Sequence, residues 1–227
     1  PNNSAAFFMN KKPTKTYYDY LNFYKQMHNS GFLLKSGESR NYKNAYDGSS
    51  TLGFIKSIKK IIEKNSINSL LDYGCGKAIL YENEFKIGEE KIKSLKKYWG
   101  IKTNLYDPAY KKFSELPKGK FDLTISIDVM EHIPETDIDW VLEEIFSITN
   151  KFIFFNVACF EANALLPNGQ NAHTLVKKPK WWFNKFIEFK KRYTNMKIVG
   201  LCAERNTNND GFVYIPINID DNINNYK

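Results

Sequence analysis

The tightest constraint on this chain is the run Ser69-Leu70-Leu71-Asp72-Tyr73-Gly74-Cys75-Gly76-Lys77-Ala78. A short apolar stretch ends in an acid, two glycines follow one residue apart, and the sequence after them is compatible with a helix. That order describes a strand feeding a tight turn. Glycines there take positive φ and let a ligand approach with no Cβ atom in the way. In an open α/β sheet such a ligand lies at the carboxyl end of the strand.

Two cofactor classes use a turn of this kind, nucleotides such as NAD and S-adenosylmethionine (SAM). The dinucleotide fingerprint G-x-G-x-x-G/A needs a small residue at its sixth position so that helix and strand pack closely. Ile79 stands there instead. The run resembles motif I of the class I SAM-dependent methyltransferases, hydrophobic-hydrophobic-D-x-G-x-G-x-G. Asp72, Gly74 and Gly76 match it, and Ala78 replaces the third glycine. The resemblance implies an α/β Rossmann-like three-layer sandwich, with Asp72, Gly74, Cys75 and Gly76 against the cofactor. An ordinary strand-to-helix turn with glycines for steric reasons is the competing account.

Upstream, residues 16 to 29 read as a helix stopped near Gly31, with Tyr17, Tyr20, Tyr24 and Met27 on one face. The stripe is expected to pack onto the core, with His28 in a structural role. Residues 30 to 48 are polar and irregular, suited to a lid, so residues 1–49 form an N-terminal helix and lid segment and 50–227 the main domain. Ser49 or Ser50 is placed to cap a second helix carrying Leu52, Ile55, Ile58, Ile61 and Ile62.

Downstream of the turn a helical region is expected from Ile79 towards Lys97, broken near Gly88. A second strand, Ile101 to Tyr106, ends in Asp107-Pro108. A carboxylate at this position accepts hydrogen bonds from both hydroxyls of a ribose, and the resemblance implies that role for Asp107. Residues 108 to 120 are too few for a helix, a third strand and another helix. One short helical turn and a missing or vestigial third strand follow.

Phe121 to Ile127 reads as a buried parallel strand, and after it comes Asp128-Val129-Met130-Glu131-His132-Ile133-Pro134. This resembles the D-x-x-E-H-hydrophobic-P element at the end of the fourth strand in many small-molecule methyltransferases. The resemblance, spanning residues 50 to 217, implies that Asp128 borders the methionine end of SAM and that Glu131 and His132 face the acceptor pocket. A helix over 137 to 149, a strand over 151 to 157 and a long loop from Ala158 to Val176 follow. Pro179 opens a helix with Trp181, Trp182, Phe186 and Phe189, and residues 196 to 203 and 212 to 217 form a closing antiparallel hairpin. The sheet is thus mostly parallel with a reversed edge strand. The Y-D-P turn, D-V-M-E-H-I-P, and L-P-N-G-Q-N-A-H followed by K-P-K-W-W also resemble a subgroup found among bacterial polysaccharide and phage methyltransferases.

Composition bears on the partners. The formal charge is +8, yet only Arg40, Arg192 and Arg205 of the 33 basic residues are arginine. Phosphate and base recognition recruit arginine for its bidentate fork. The cluster Lys177, Lys178, Lys180, Lys185, Lys190, Lys191 and Arg192 therefore reads as a solvated face, and a nucleic-acid partner is disfavoured without being eliminated. No apolar run reaches the 18 or so residues of a membrane span, and Ala5 to Met9 is too short for a signal-peptide core. The internal Met9 suggests that residues 1 to 8 are an appended segment. Cys75, Cys159 and Cys202 show no spacing for a disulfide framework or a zinc site, which fits a reducing cytoplasm.

Methyl transfer from a sulfonium needs in-line placement of a nucleophile and, for a hydroxyl acceptor, a base. His132 and His173 are the base candidates, with Glu131 beside them. Asp128, Glu131 and His132 also have i, i+3, i+4 spacing, and with His173 they make a donor set for a divalent metal. That layout resembles the metal site of the small-RNA 3′-terminal 2′-O-methyltransferases, although Asp replaces Glu at its first position. The expected activity is SAM-dependent methylation of a small-molecule acceptor, a sugar or other surface-glycan precursor among the options. A metal-dependent RNA 2′-O-methyltransferase and a non-catalytic SAM-binding protein are the alternatives.

Overall fold

The structure is a computed structural model that describes residues 13–208 and 211–227. The Ala5 to Met9 reading and the appended residues 1 to 8 lie outside the described residues. Thr14 caps the first helix, α1 (Lys15–Ser30), by accepting a 3.2 Å hydrogen bond from the Tyr17 amide. Gly31, at φ 80°, ends it where a side chain would be strained. Tyr17, Met27 and His28 are buried on this helix.

Between α1 and the glycine turn lie a short hairpin, β1 (Phe32–Leu33) and β2 (Ser39–Arg40), and the helix α2 (Ile55–Lys64). The helix expected from Ser49 begins instead as a tight 3₁₀ segment, Ser49–Phe54, with no side-chain cap. Its three-residue pitch turns Thr51 and Phe54 inward and leaves Leu52 exposed. From Ile55 onward the isoleucines at 55, 58, 61 and 62 are buried as their spacing requires.

The stretch after β3 (Ser69–Tyr73) departs from the expected long helix. Ile79–Tyr81 is one 3₁₀ turn, β4 (Phe85–Ile87) and β5 (Glu90–Ile92) make a small hairpin, and only α3 (Leu95–Trp99) is helical. Gly88, at φ 61°, forms with Glu89 a two-residue hairpin turn between Ile87 and its partner Glu90. The glycine read as a helix break is the corner of a hairpin.

The central sheet continues with β6 (Lys102–Tyr106), β7 (Phe121–Ile127), β8 (Thr149–Ala158), β9 (Lys197–Arg205) and β10 (Phe212–Ile219). Its order is β10-β9-β8-β7-β3-β6, and all neighbours are parallel except β9 and β10. The reversed strand is at the edge, and no strand lies beyond β6 among the described residues. Residues 108 to 120 hold only the turn Lys111–Phe113.

Helices cover both faces. On one, α2 and α3 pack on Leu70, Leu123, Ile125 and Phe154; on the other, α4 (Ile138–Ser147) and α5 (Pro179–Lys190) pack on Leu71, Ile153, Phe155 and Ile198. Two-sided burial is why β7 and β8 are nearly continuous apolar runs. Gly200 makes one of the tightest contacts, because a Cβ there would sit 2.5 Å from the Phe155 ring. That ring in turn stacks on Phe186 of α5 at 3.9 Å and 14°. Such a pair contributes about 1 kcal/mol beyond its buried area.

The long connection from β8 to α5 is folded down, with bridges Leu34↔Ala164 and Leu165↔Asn171 and a 2.9 Å bond from the Leu175 amide to the Glu131 carbonyl. The lysine cluster on and before α5 faces acids: Lys177 pairs with Glu135, Lys178 with Glu204, Lys185 with Asp139 and Lys190 with Asp220. No helix among the described residues is long and apolar enough to cross a membrane.

Candidate functional site

The carboxyl ends of β3, β6 and β7 open into a cleft. The glycine turn forms its floor. Gly74 has φ 87° and a Cβ there would lie 2.3 Å from Val129; Gly76 has φ 58° and a Cβ there would lie 2.3 Å from the Tyr46 carbonyl oxygen. Both glycines are thus required by protein packing, whatever ligand the turn meets.

The amides of the turn are fully occupied. Gly74 and Cys75 donate to the Tyr106 carbonyl at 2.7 and 3.1 Å, and Gly76 donates to Oδ2 of Asp107 at 2.8 Å. Lys77 donates to Tyr46 at 2.8 Å, Ala78 to Cys75 at 3.1 Å and Ile79 to Asp47 at 3.1 Å. A phosphate-binding turn aims free N–H groups at its anion. This one has none to offer between residues 74 and 79.

Asp107 ends β6 at the centre of the cleft. Besides Gly76 it accepts from the Ala109 amide at 2.8 Å through Oδ1, so each oxygen keeps a lone pair for a ligand. Burial pushes its carboxyl upward while these N–H bonds pull it down. Asp72 also lines the cleft but is 3% exposed, and its Oδ2 accepts from Tyr81 at 2.8 Å. Burial raises its carboxyl to about 7.

Five α1 residues, Tyr17, Tyr20, Leu21, Tyr24 and His28, line the opposite wall, and Tyr46, Gly48 and Ser50 line it from the segment that follows. The aromatic stripe expected to be core packing is therefore also a wall of the cleft. His28, read as structural, lies 4.0 Å from Oδ1 of Asp107 and stacks on Tyr110 at 5.3 Å. Burial and the Lys77 charge depress its imidazole to about 4. Sequence spacing placed His28 beside Met27 on the helix but gave no sign that Asp107 would lie across from it.

The D-x-x-E-H element ends β7. Asp128 takes φ 55°, a left-handed conformation rare outside glycine and its Asx substitutes. Its carboxylate is held by the Asn156 amide at 2.5 Å and by Ser50, and its own N–H donates to the Asn156 carbonyl at 2.9 Å. The left-handed residue interrupts any helical continuity, so the 3₁₀ turn Met130–His132 starts after it. Consequently the four-residue metal set does not assemble as the spacing suggested. Glu131, His132 and His173 bring one donor atom each within 4.8 Å of one another, and Asp128 stays out.

Within this trio only His132 lines the cleft; Glu131, which is fully buried, and the base candidate His173 do not. The expectation that Glu131 faces the acceptor pocket is corrected accordingly: its Oε1 accepts from the Ala158 amide at 3.0 Å and its Oε2 has no partner. Nδ1 of His132 lies 2.8 Å from the Ala172 carbonyl, Nδ1 of His173 lies 2.6 Å from that of Phe160, and the two rings meet edge to face at 4.9 Å. A carbonyl accepts only, so each Nδ1 carries the hydrogen and each Nε2 carries a lone pair. Burial holds both imidazoles neutral, His132 at about 3, and pushes the Glu131 carboxyl well up.

Comparison with protein-family models, with curated proteins and with solved structures finds no match to this chain.

Proposed function

We propose that this chain binds SAM in the cleft and transfers its methyl group to a small-molecule acceptor. The observation that carries the reading is the glycine turn with every amide occupied, set beside a carboxylate at the end of the next strand. Such a site suits a nucleoside that brings a ribose diol and no phosphate. The D-x-x-E-H element then lies at the adjacent strand end, where the resemblance to small-molecule methyltransferases requires it.

When bound, SAM supplies an electrophilic methyl group on a sulfonium. Asp107 accepts hydrogen bonds from the sugar hydroxyls, and its own position is fixed by the Gly76 and Ala109 amides. Asp128, neighboured by Ser50 and Asn156, borders the opposite end of the cleft. His132, tethered through Nδ1, has a neutral Nε2 that would accept the acceptor's hydroxyl proton as the carbon–sulfur bond breaks and the carbon–oxygen bond forms, a transfer its low basicity allows only late, when the oxygen carries positive charge. His173 and Glu131 hold its environment. The test is calorimetry with SAM and with its demethylated product, followed by label transfer from methyl-labelled SAM into a cell extract. Absence of heat with both ligands removes the reading, and binding without any transfer favours a non-catalytic SAM-binding protein.

A second reading has its own observation. Two imidazoles with free Nε2 atoms and a carboxylate oxygen without a partner, all within 4.8 Å, form a donor set for a divalent cation. The cation would replace the proton that burial keeps on Glu131. Metal-dependent activity with salt-sensitive RNA binding would select the RNA 2′-O-methyltransferase alternative; activity that survives a chelator would remove it.

A further inference from the structure

The rim of the sheet continues past the histidines to a surface the proposed chemistry has not used. Because β10 runs antiparallel, its first residues lie beside the last residues of β9, with Phe212 opposite Arg205 and Tyr214 opposite Ala203. They therefore stand on the same edge of the sheet as the cleft. Phe212 and Tyr214 are 46% and 48% exposed, and their two-residue spacing puts both on one face of the strand.

These rings are fixed from below. Phe212 stacks on Phe160 at 5.0 Å and 18°, the Arg205 guanidinium lies 4.9 Å over Phe160, and Phe160 reaches His173 at 5.7 Å. Tyr214 meets Phe54 edge to face at 6.0 Å and is close enough to Asp128 to feel its charge. The rim thus reads from the cleft at β3, β6 and β7, through the histidine pair, to an aromatic platform at β9 and β10.

We infer that this platform holds the acceptor, and that the acceptor is an uncharged saccharide. The inference rests on the methyl-transfer reading above. Exposed, immobilised ring faces bind either the C–H face of a pyranose or a nucleobase, and charge decides between them. Two of the three cations around the platform are paired with acids, Lys35 with Glu161 and Lys178 with Glu204, and the third, Arg205, is turned onto the Phe160 ring and donates to Asn163. A nucleic-acid chain needs unpaired cations along its phosphates, and the inner end of the platform carries the Asp128 carboxylate. A sugar needs an apolar face with polar partners beside it, and the side-chain amides of Asn163 and Asn206, whose oxygens accept from Arg205 and from the Asn208 amide, stand at this edge.

Saturation-transfer NMR on the full chain tests this, using the methyl pyranosides of glucose, galactose, mannose and N-acetylglucosamine, with a short oligouridylate as the polyanion. At least one pyranoside should bind, and Phe212→Ala and Tyr214→Ala should each weaken it at least tenfold, while Phe212→Tyr retains it. The demethylated cofactor product should bind both alanine variants with unchanged affinity, and their melting curves should match the parent. Binding of none of the pyranosides, binding indifferent to both alanine substitutions, or displacement of a bound pyranoside by oligouridylate overturns the inference. Loss of cofactor binding in the parent chain instead strikes the methyl-transfer reading and leaves saccharide binding to be scored separately.

Discussion

The two halves of the rim treat their polar groups in opposite ways. Around the glycine turn each amide from Gly74 to Ile79 has an acceptor, and Asp107 takes two N–H bonds. Around the D-x-x-E-H element, Oε2 of Glu131, Oδ1 of Asn156 and Oγ1 of Thr174 are buried without partners. The turn's own amides are finished before any ligand arrives, and among the described residues the one buried polar atom without a partner on that side is Nδ1 of His28, across from Asp107. The second half leaves a buried polar deficit, which in a native protein marks a place awaiting a proton, an ion or a substrate. One side is closed framework; the other leaves polar atoms open.

The sharpest way to break that contrast is to attack the framework. Gly76→Ala places a Cβ 2.3 Å from the Tyr46 carbonyl at a φ of 58°. Both backbones must part, and a loss of about 3 kcal/mol in chemical denaturation is expected. Gly169→Ala is the control, since Gly169 has φ 84° but nothing within 4 Å of a Cβ; it should cost only the left-handed strain of about 1 kcal/mol. Equal losses in the two variants would mean that the turn's close packing contributes nothing.

Asp107→Asn should come next. An amide can accept from only one of the Gly76 and Ala109 N–H groups and turns an NH₂ towards the other, which costs about 1 to 3 kcal/mol. Affinity for the demethylated cofactor product should fall by at least about thirtyfold, the order of one lost charge-assisted bond. Unchanged affinity would leave Asp107 a turn residue and no more.

On the reactive side the same kind of exchange should be nearly silent for stability. Burial already favours the neutral form of Glu131, so Glu131→Gln replaces one uncharged group by another of equal size, and a change within about 1 kcal/mol is expected. Function is where it should register. His132→Ala should lower turnover at least about a hundredfold with cofactor affinity retained. His173→Ala should follow in the same direction, and parent-like turnover in both would remove the base assignment.

This contrast also explains what the sequence made legible. Sheet strands, the reversed edge, the missing third strand and α1 follow from local signals: apolar runs, the 108 to 120 spacing, the aromatic stripe and the Gly31 stop. Asp107 and the glycines could be placed because strand ends fix where the chain turns. Four features escaped. The hairpin at β4 and β5 rests on short segments whose apolar residues fit either period, and Gly88, its corner, reads equally well as a helix break. Asp128 was read as part of a helical face because spacing carries no record of a left-handed φ. His28 and the platform of Phe160, Phe212 and Tyr214 depend on contacts between elements far apart in the chain, which no local pattern encodes.

The last expected difference is read by pH within the glycine-turn half. Asp72 is raised to about 7 from an unfolded value near 3.8, so between those values the folded chain holds the extra proton. Its contribution is fully present at low pH and is lost as pH rises through 7. His28 runs the other way: depressed to about 4 from 6.5, it contributes above 6.5 and is lost as pH falls towards 4. The melting advantage of Asp72→Asn over the parent should therefore grow from pH 5 to pH 8. That of His28→Phe, which keeps a ring against Tyr110, should grow from pH 7 down to pH 4.5. Because Asp107, Asp128 and Glu131 are shifted in the same sense as Asp72, only these differences from the parent, and not its own melting curve, isolate each group. Parallel curves for Asp72→Asn would show that its carboxyl is charged in the folded chain, and the wall of the cleft beside Tyr81 would then carry an anion at neutral pH.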